Sequence, residues 1–330
     1  MFPTQRISPL LGRNTPGRPA APRRTTALAP PAAAVLALLL PAALSGCAAF
    51  GGERSGVVVT TNILGDITRS IVGDQADVTV IMPPNADPHS FGVSAQQAAE
   101  LEEAELVVYN GLGLEEGVLR NVEAAEQAGA PSLEVAAGID PLDFSEGEEA
   151  GQADPHFWTD PVRVGDAVDL IADAVVEQVD GVDEDRVRAN AEDYRGEVEA
   201  LHEDAEERFA ALPEDRRKLV TDHHVFGYLA DRYGFEVIGA VIPSGTTLAS
   251  PSSADLKSLS DAVREAGVPA VFADSAQPDR LTRVMAEEAD LEIEVVPLFT
   301  ESLTDEDGDA PTYLDMARYN TGAIADALAE

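Results

Sequence analysis

With 330 residues, 45% of them hydrophobic and 25% charged, the chain is long enough for two domains with cores of their own. Five of its 22 basic residues fall in the first 46 positions, which hold no acid, so the other 17 face all 60 acidic side chains. A surface that acidic repels nucleic acid and anionic lipid and argues against both as partners, and solubility is its simplest purpose.

The first 46 residues read as a secretory leader. Arg6, Arg13, Arg18, Arg23 and Arg24 precede an apolar run from Ala32 to Leu44, too short to span a bilayer comfortably, and small residues follow. Arg23-Arg24 is followed by Thr-Thr-Ala, a poor match to a twin-arginine export signal. Leu44-Ser45-Gly46-Cys47 resembles a bacterial lipobox, in which the cysteine becomes the acylated first residue. An ordinary leader that happens to contain a cysteine is the plainer alternative, but Cys47 is the only cysteine of the chain. With Cys47 acylated no disulfide can form. The glycine-rich stretch 51–56 then reads as a short flexible tether.

Beyond the tether, strands and helices alternate. Residues 57–61 are apolar and β-branched, a strand, and 63–72 have helical spacing. A second strand over 78–82 stops at Pro83-Pro84. Ser94 and Gln97 form a capping box for a helix through 104, and a third strand covers 106–110. Leu114, Val118, Val122 and Ala125 make one helix face, and 132–135 a fourth strand. Residues 138–153 form a long non-periodic acidic insertion. Asp160 caps and Pro161 starts a helix to about 179.

From 183 to 212, Val187, Ala191, Tyr194, Val198, Leu201, Ala205 and Leu212 recur in steps of three and four on an otherwise charged helix. It would be about 45 Å long, the width of a domain or more. His202 lies beside this stripe and reads as a partly exposed helix residue. The remainder repeats the first half in style. Strands fall over 219–221, 235–240, 270–273 and 293–297, and helices over 226–233, 253–266, 278–289 and 312–328. The fold class is therefore α/β: two four-stranded parallel-sheet lobes bridged by a single long α-helix. The expected divisions are a leader (1–46), a lipidated tether (47–56), an N-terminal lobe (57–182), a spine helix (183–213) and a C-terminal lobe (214–330).

Four of the five histidines sit in loops flanked by Asp or Pro: Asp87-Pro88-His89, Asp154-Pro155-His156 and Asp222-His223-His224. A lone Asp-Pro-His is only a capped turn, but two of them with a His pair are stronger evidence. His89, His156, His223 and Glu301 each follow a strand, two from each half. The carboxyl ends of parallel strands are where open α/β sheets bind ligands, so the four can converge only in the cleft between lobes. Three imidazoles and a carboxylate suit four-coordinate Zn²⁺, whereas Mn²⁺ and Fe²⁺ prefer more oxygen. Asp87 and Asp154 stand two residues before their histidines, placed to orient the rings as acceptors.

These segments resemble the solute-binding lipoproteins of zinc and manganese ABC transporters (cluster A-I). The resemblance runs through Thr60-Thr61-Asn62-Ile63-Leu64-Gly65-Asp66, the stretch Pro83 to His89, and Asp154 to Pro161. It continues in Thr221-Asp222-His223 with Phe226-Gly227-Tyr228, and in Thr312-Tyr313 with Asn320. It implies two α/β lobes bridged by one helix, His89, His156 and His223 as ligands, and Glu301 at the family's carboxylate position. That position is commonly Asp, so Glu301 carries one extra methylene. Zinc-type members have His at the third position and manganese-type members Glu, so His223 implies zinc. His224 stands where the family often has Asp and is the alternative donor. The region that often carries a His-rich loop is here the acidic 140–154 loop, which reads as disordered rather than cation-collecting.

The resemblance implies a non-enzymatic, monomeric protein. Lipid-anchored on the extracytoplasmic face of a bacterial membrane, it would capture Zn²⁺ as cargo for an ABC permease and its cytoplasmic ATPase. A manganese or iron carrier of the same family is the alternative. A zinc hydrolase would need a general base and substrate pocket, and the sequence has no His-Glu-x-x-His, no Gly-x-Ser-x-Gly and no phosphate loop. An adhesin would use the acidic surface, but nothing specifies its ligand.

Overall fold

The computed structural model describes residues 56–330, apart from 146, 148, 278–281, 285–292 and 330. The leader, Cys47 and nearly all of the tether lie outside the described residues, as does most of the helix expected over 278–289, of which 282–284 are helical.

The first sheet is built from β1 (Val57–Val59), β2 (Val78–Val80), β3 (Leu106–Tyr109) and β4 (Ser132–Glu134), ordered β2-β1-β3-β4 with every pair parallel. Val57 pairs with Val78 on one side and with Leu106 on the other. Side chains alternate between the faces. Val57, Val59, Leu106 and Val108 enter one core, and Val58, Val107 and Tyr109 the opposite one. Helices α1 (Asn62–Val72), α2 (Ala95–Glu102), α3 (Glu116–Ala128) and α4 (Pro161–Gln178) cover these faces. Their starts are set locally. The Thr61 hydroxyl caps α1, Ser94 and Gln97 form the expected capping box on α2, and Asp160 caps α4 ahead of Pro161.

The second sheet repeats that plan: β5 (Lys218–Thr221), β6 (Glu236–Ala240), β7 (Ala270–Asp274) and β8 (Glu294–Leu298), ordered β6-β5-β7-β8 and parallel throughout. Leu219, Ala270 and Phe272 point into one core, Val220 and Val271 into the other. Helices α6 (Gly227–Tyr233) and α7 (Ser253–Ala266) complete it.

The long helix α5 (Glu184–Ala210) starts at an Asp183 cap and runs for 27 residues. Its buried stripe changes core along its length. Val187, Ala191, Tyr194, Val198 and Leu201 belong to the first lobe's core, and Ala205 and Phe209 to the second's. Phe209 is a stripe position that the spacing analysis passed over. The C-terminal helix α8 (Tyr313–Ala329) does the same, with Tyr313, Leu314 and Met316 in the first core and Ile324, Ala325 and Leu328 in the second. Two packed helices thus tie the lobes together, and free hinging would break a continuous apolar contact.

The 140–154 loop departs from expectation. Its described residues are not disordered: Asp143 and Ala153 form an antiparallel bridge, flanked by Phe144 N–H to Gln152 O and Asp154 N–H to Leu142 O. The Leu142 amide also donates to the Tyr228 hydroxyl. Backbone pairing and docking onto the second lobe satisfy a segment whose sequence lacks any periodic apolar pattern.

Candidate metal centre

His89, His156, His223 and Glu301 come together where the carboxyl ends of the two sheets face each other. One donor atom from each lies within 4.8 Å of all the others, and the residues are 3%, 0%, 0% and 1% exposed. His89 lies in the turn after β2, His156 beyond the hairpin after β4, His223 two residues after β5 and Glu301 just after β8.

The inward atoms are the three Nε2 nitrogens and the Glu301 carboxylate. Nε2 of His89 and of His156 stand 3.4 Å apart. Glu301 Oε1 lies 3.0 Å from His223 Nε2 and 3.5 Å from His156 Nε2, and its Oε2 lies 3.9 Å from His89 Nε2. A tetrahedral ion with bonds near 2 Å needs donors about 3.3 Å apart, and these separations bracket that edge. Glu301 Oε2 is buried with no hydrogen-bond partner, an anionic atom aimed at a place where a cation would satisfy it.

Each ring is turned inward by an acceptor behind it. Asp154 Oδ1 takes the His156 Nδ1 proton at 2.7 Å and the His156 backbone N–H at 2.9 Å. Asp222 Oδ2 lies 3.1 Å from His223 Nδ1, and the Leu114 backbone hydrogen-bonds the His89 ring. A proton held at Nδ1 by these bonds leaves Nε2 as the donor atom of each ring once that ring is neutral. Asp154 thus stands where its spacing places it. Asp87 does not: its Oδ1 accepts the His89 backbone N–H at 3.0 Å, while Oδ2 turns away to Thr247 Oγ1 (2.7 Å) and Gln277 Nε2 (2.9 Å). His224 is not part of the cluster. Its backbone N–H goes to Ser244 O, in the bend that follows β5. His202 stays on α5, its Nδ1 3.0 Å from the Tyr233 hydroxyl.

Burial and the two neighbouring imidazoles push His89 down to about 2, so it is neutral. Burial alone would pull His223 down as well, but the Asp222 and Glu301 carboxylates outweigh it and hold its imidazole well above the ordinary value. Burial, with Asp222 and Glu301 nearby, raises Asp274 to about 7.

Several supports lay beyond sequence reasoning. Asn62 donates to Ser302 Oγ (2.7 Å) and accepts from the Leu303 N–H (2.9 Å), reaching from the first lobe to the Glu301 loop. Trp158 Nε1 donates to Thr300 O at 2.8 Å, and the Thr300 hydroxyl donates to Asp274 at 2.6 Å. Buried Glu115 accepts from the Thr60 hydroxyl and the Asn110 and Gly111 amides, while Asn110 donates to Pro155 O beside His156. Gly227 leaves room for Asp154 where α6 meets the site, since a Cβ there would come within 2.8 Å of Asp154 Oδ2 and push that carboxylate aside.

Two like sheets joined by helices, with a buried His₃Glu cluster between their strand ends, define a metal-binding substrate-binding protein of the kind that serves ABC importers. Residues 57–327 match the family described as Zinc-uptake complex component A periplasmic (ZnuA), and the chain belongs to that family. The Iron-binding protein YfeA of Yersinia pestis is 30% identical over 83% of this chain and 86% of its own length. The Manganese ABC transporter substrate-binding lipoprotein PsaA of Streptococcus anginosus is 28% identical over 87% of this chain and 95% of its own. The periplasmic zinc binding protein TroA of Treponema pallidum superposes with a TM-score of 0.77 at 25% identity, covering 84% of this chain and all (100%) of that structure. No helix among the described residues is long and apolar enough to cross a membrane.

Proposed function

We propose that His89, His156, His223 and Glu301 bind a single Zn²⁺ as transported cargo and that the protein hands it to an ABC permease driven by a cytoplasmic ATPase. The observation that carries this reading is the buried cluster of three imidazoles and a carboxylate whose donor atoms all lie within 4.8 Å of one another, four of the pairs at 3.0 to 3.9 Å, near the edge of a tetrahedral zinc site. Asp154 and Asp222 orient His156 and His223, and Asp87 and His224 stay outside the donor set. Cys47 carries the lipid that holds a monomer at the extracytoplasmic face. The working divisions are the lobes 57–182 and 214–330, with 183–213 as the spine between them. The protein is a carrier and not an enzyme, because a buried four-donor site leaves a substrate no open coordination position.

Competitive titration against a chelator of known affinity tests the metal. Zinc binding one-to-one, far tighter than manganese or iron, supports this reading. A manganese carrier is the second reading, and the unpartnered Glu301 Oε2 favours it, since bidentate ligation raises the coordination number Mn²⁺ prefers. The manganese and iron relatives point the same way. Manganese binding as tight as zinc would replace the first reading by the second.

A further inference from the structure

A site this buried cannot load or unload without something moving, and the helices α5 and α8 lock the lobe cores. The connection between β6 and α7 is held differently. The stretch 246–253 has no buried residue, and Leu248 within it is 54% exposed. At its start and just before it, residues 244–247, of which Ser244 and Gly245 are buried, touch the loops of all three histidines. Thr247 Oγ1 donates to Asp87 Oδ2 at 2.7 Å, next to His89. Ser244 O accepts the N–H of His224, next to His223. Gly245 lies against the Phe144 ring so closely that a Cβ would overlap it, and that ring meets the His156 imidazole at 6.1 Å between centroids.

From the far side of the cleft the segment is fastened by two first-lobe carboxylates. Asp87 holds Thr247, and Glu149 accepts from Ser244 Oγ at 2.7 Å and from the Gly245 N–H at 3.4 Å. Hydrogen bonds of this sort break at small net cost, unlike the apolar contacts of the bridging helices.

Resting on the proposed metal site, we propose that residues 244–247 are the gate through which the ion leaves, with Asp87 and Glu149 as the positioning residues that latch it and set the release rate. Opening the two latches leaves Ser244 anchored by its backbone bonds to the His224 N–H and Ile242 O and frees residues 245–247 to swing, while both cores and all four donors stay in place. The Asp87 carboxylate, turned away from its histidine ring, then has a function: it couples the His89 loop to the gate.

Thr247→Val and Ser244→Ala delete the two latching hydroxyls without altering a donor. The full-length protein loaded with Zn²⁺, and separately with Co²⁺, is mixed with excess chelator and release is followed by stopped flow. Each variant should release metal about tenfold to 100-fold faster, the effect of losing one hydrogen bond to a carboxylate. The Co²⁺ absorption spectrum should stay unchanged, and Thr247→Ser should restore slow release. Release at the wild-type rate in both variants overturns the gate. So does faster release with an altered Co²⁺ spectrum, which would mean that the substitutions distort the donors. A wild-type protein that gives no metal-dependent signal fails the proposed function itself, and the gate with it.

Discussion

In the first lobe, both inward groups are imidazoles, separated by 3.4 Å and backed by the Leu114 backbone and the buried Asp154 carboxylate. In the second, an imidazole and a carboxylate touch each other at 3.0 Å, with Asp222 behind the imidazole. The strand orders are the same, so the difference lies in the loops alone. One lobe offers lone pairs ready for a cation. The other closes an imidazole onto a carboxylate, a contact that a cation must divide.

Removing a donor from the ready side gives the largest effect. Structural zinc sites bind with roughly 10–16 kcal/mol shared over four ligands, so His156→Ala should weaken zinc binding by about 100-fold to 1000-fold. Circular dichroism should show the fold intact, because the helices bridging the cores do not depend on that ring. Unchanged affinity in the chelator competition would remove His156 from the donor set.

Next comes the carboxylate behind each ring. Asp154 holds His156 by two short bonds, whereas Asp222 has one longer contact and a buried Oδ1 without a partner. Asp154→Asn should therefore cost about tenfold to 100-fold in affinity, the usual range for groups that orient metal-bound histidines. Asp222→Asn should cost less, because losing that carboxylate also eases removal of the His223 proton. Equal losses from the two variants would erase the proposed difference between the lobes.

The stored proton gives the third effect. The His223 imidazole is held well above its ordinary value by the Asp222 and Glu301 carboxylates, while His89, pushed down to about 2 by burial and its neighbouring imidazoles, has no proton to lose. Binding must release the His223 proton. Affinity should thus fall about tenfold per pH unit as pH drops below the raised His223 value, and level off above it. Calorimetry in two buffers of different ionisation enthalpy should show proton release on binding below the raised His223 value and none well above it.

How legible these features were follows from which interactions are local. Thr61, Ser94, Asp160 and Asp183 cap the helices they precede, so those starts were visible in short words of sequence. The alternating strands and the 3.6-residue stripe of α5 were visible for the same reason. The four clustered residues were visible because strand ends collect ligands. Asp154 was found from its spacing, while the same spacing misplaced the Asp87 carboxylate, whose partners Thr247 and Gln277 lie 160 and 190 residues away. Asn62 reaching Ser302, Trp158 reaching Thr300 and the docking of the 140–154 loop likewise depend on the two lobes meeting. No local pattern encodes a contact across a cleft, and α8 passed for an ordinary last helix because its crossing from one core to the other depends on where both cores lie.

The smallest effect on binding should come from the contact that joins the lobes without touching the site. Arg232 on α6 clamps the Asp160 carboxylate with three contacts of 2.8 to 3.0 Å, and that carboxylate also caps α4. Asp160 is 2% exposed, so Arg232→Ala leaves a buried carboxylate with the longer 3.7 Å contact to Arg163, whereas the Arg232 side chain is itself 32% exposed and partly screened. Breaking a fully buried pair costs about 3–5 kcal/mol; with water entering this one, about 1–2 kcal/mol of unfolding free energy is expected in urea titrations. Zinc affinity should move by no more than about twofold, since the four donors and their supports sit on other bonds. A large loss of affinity in Arg232→Ala would mean that the clamp positions the donors, and that the lobes are less independent in holding their halves of the site than their separate hydrogen bonds imply.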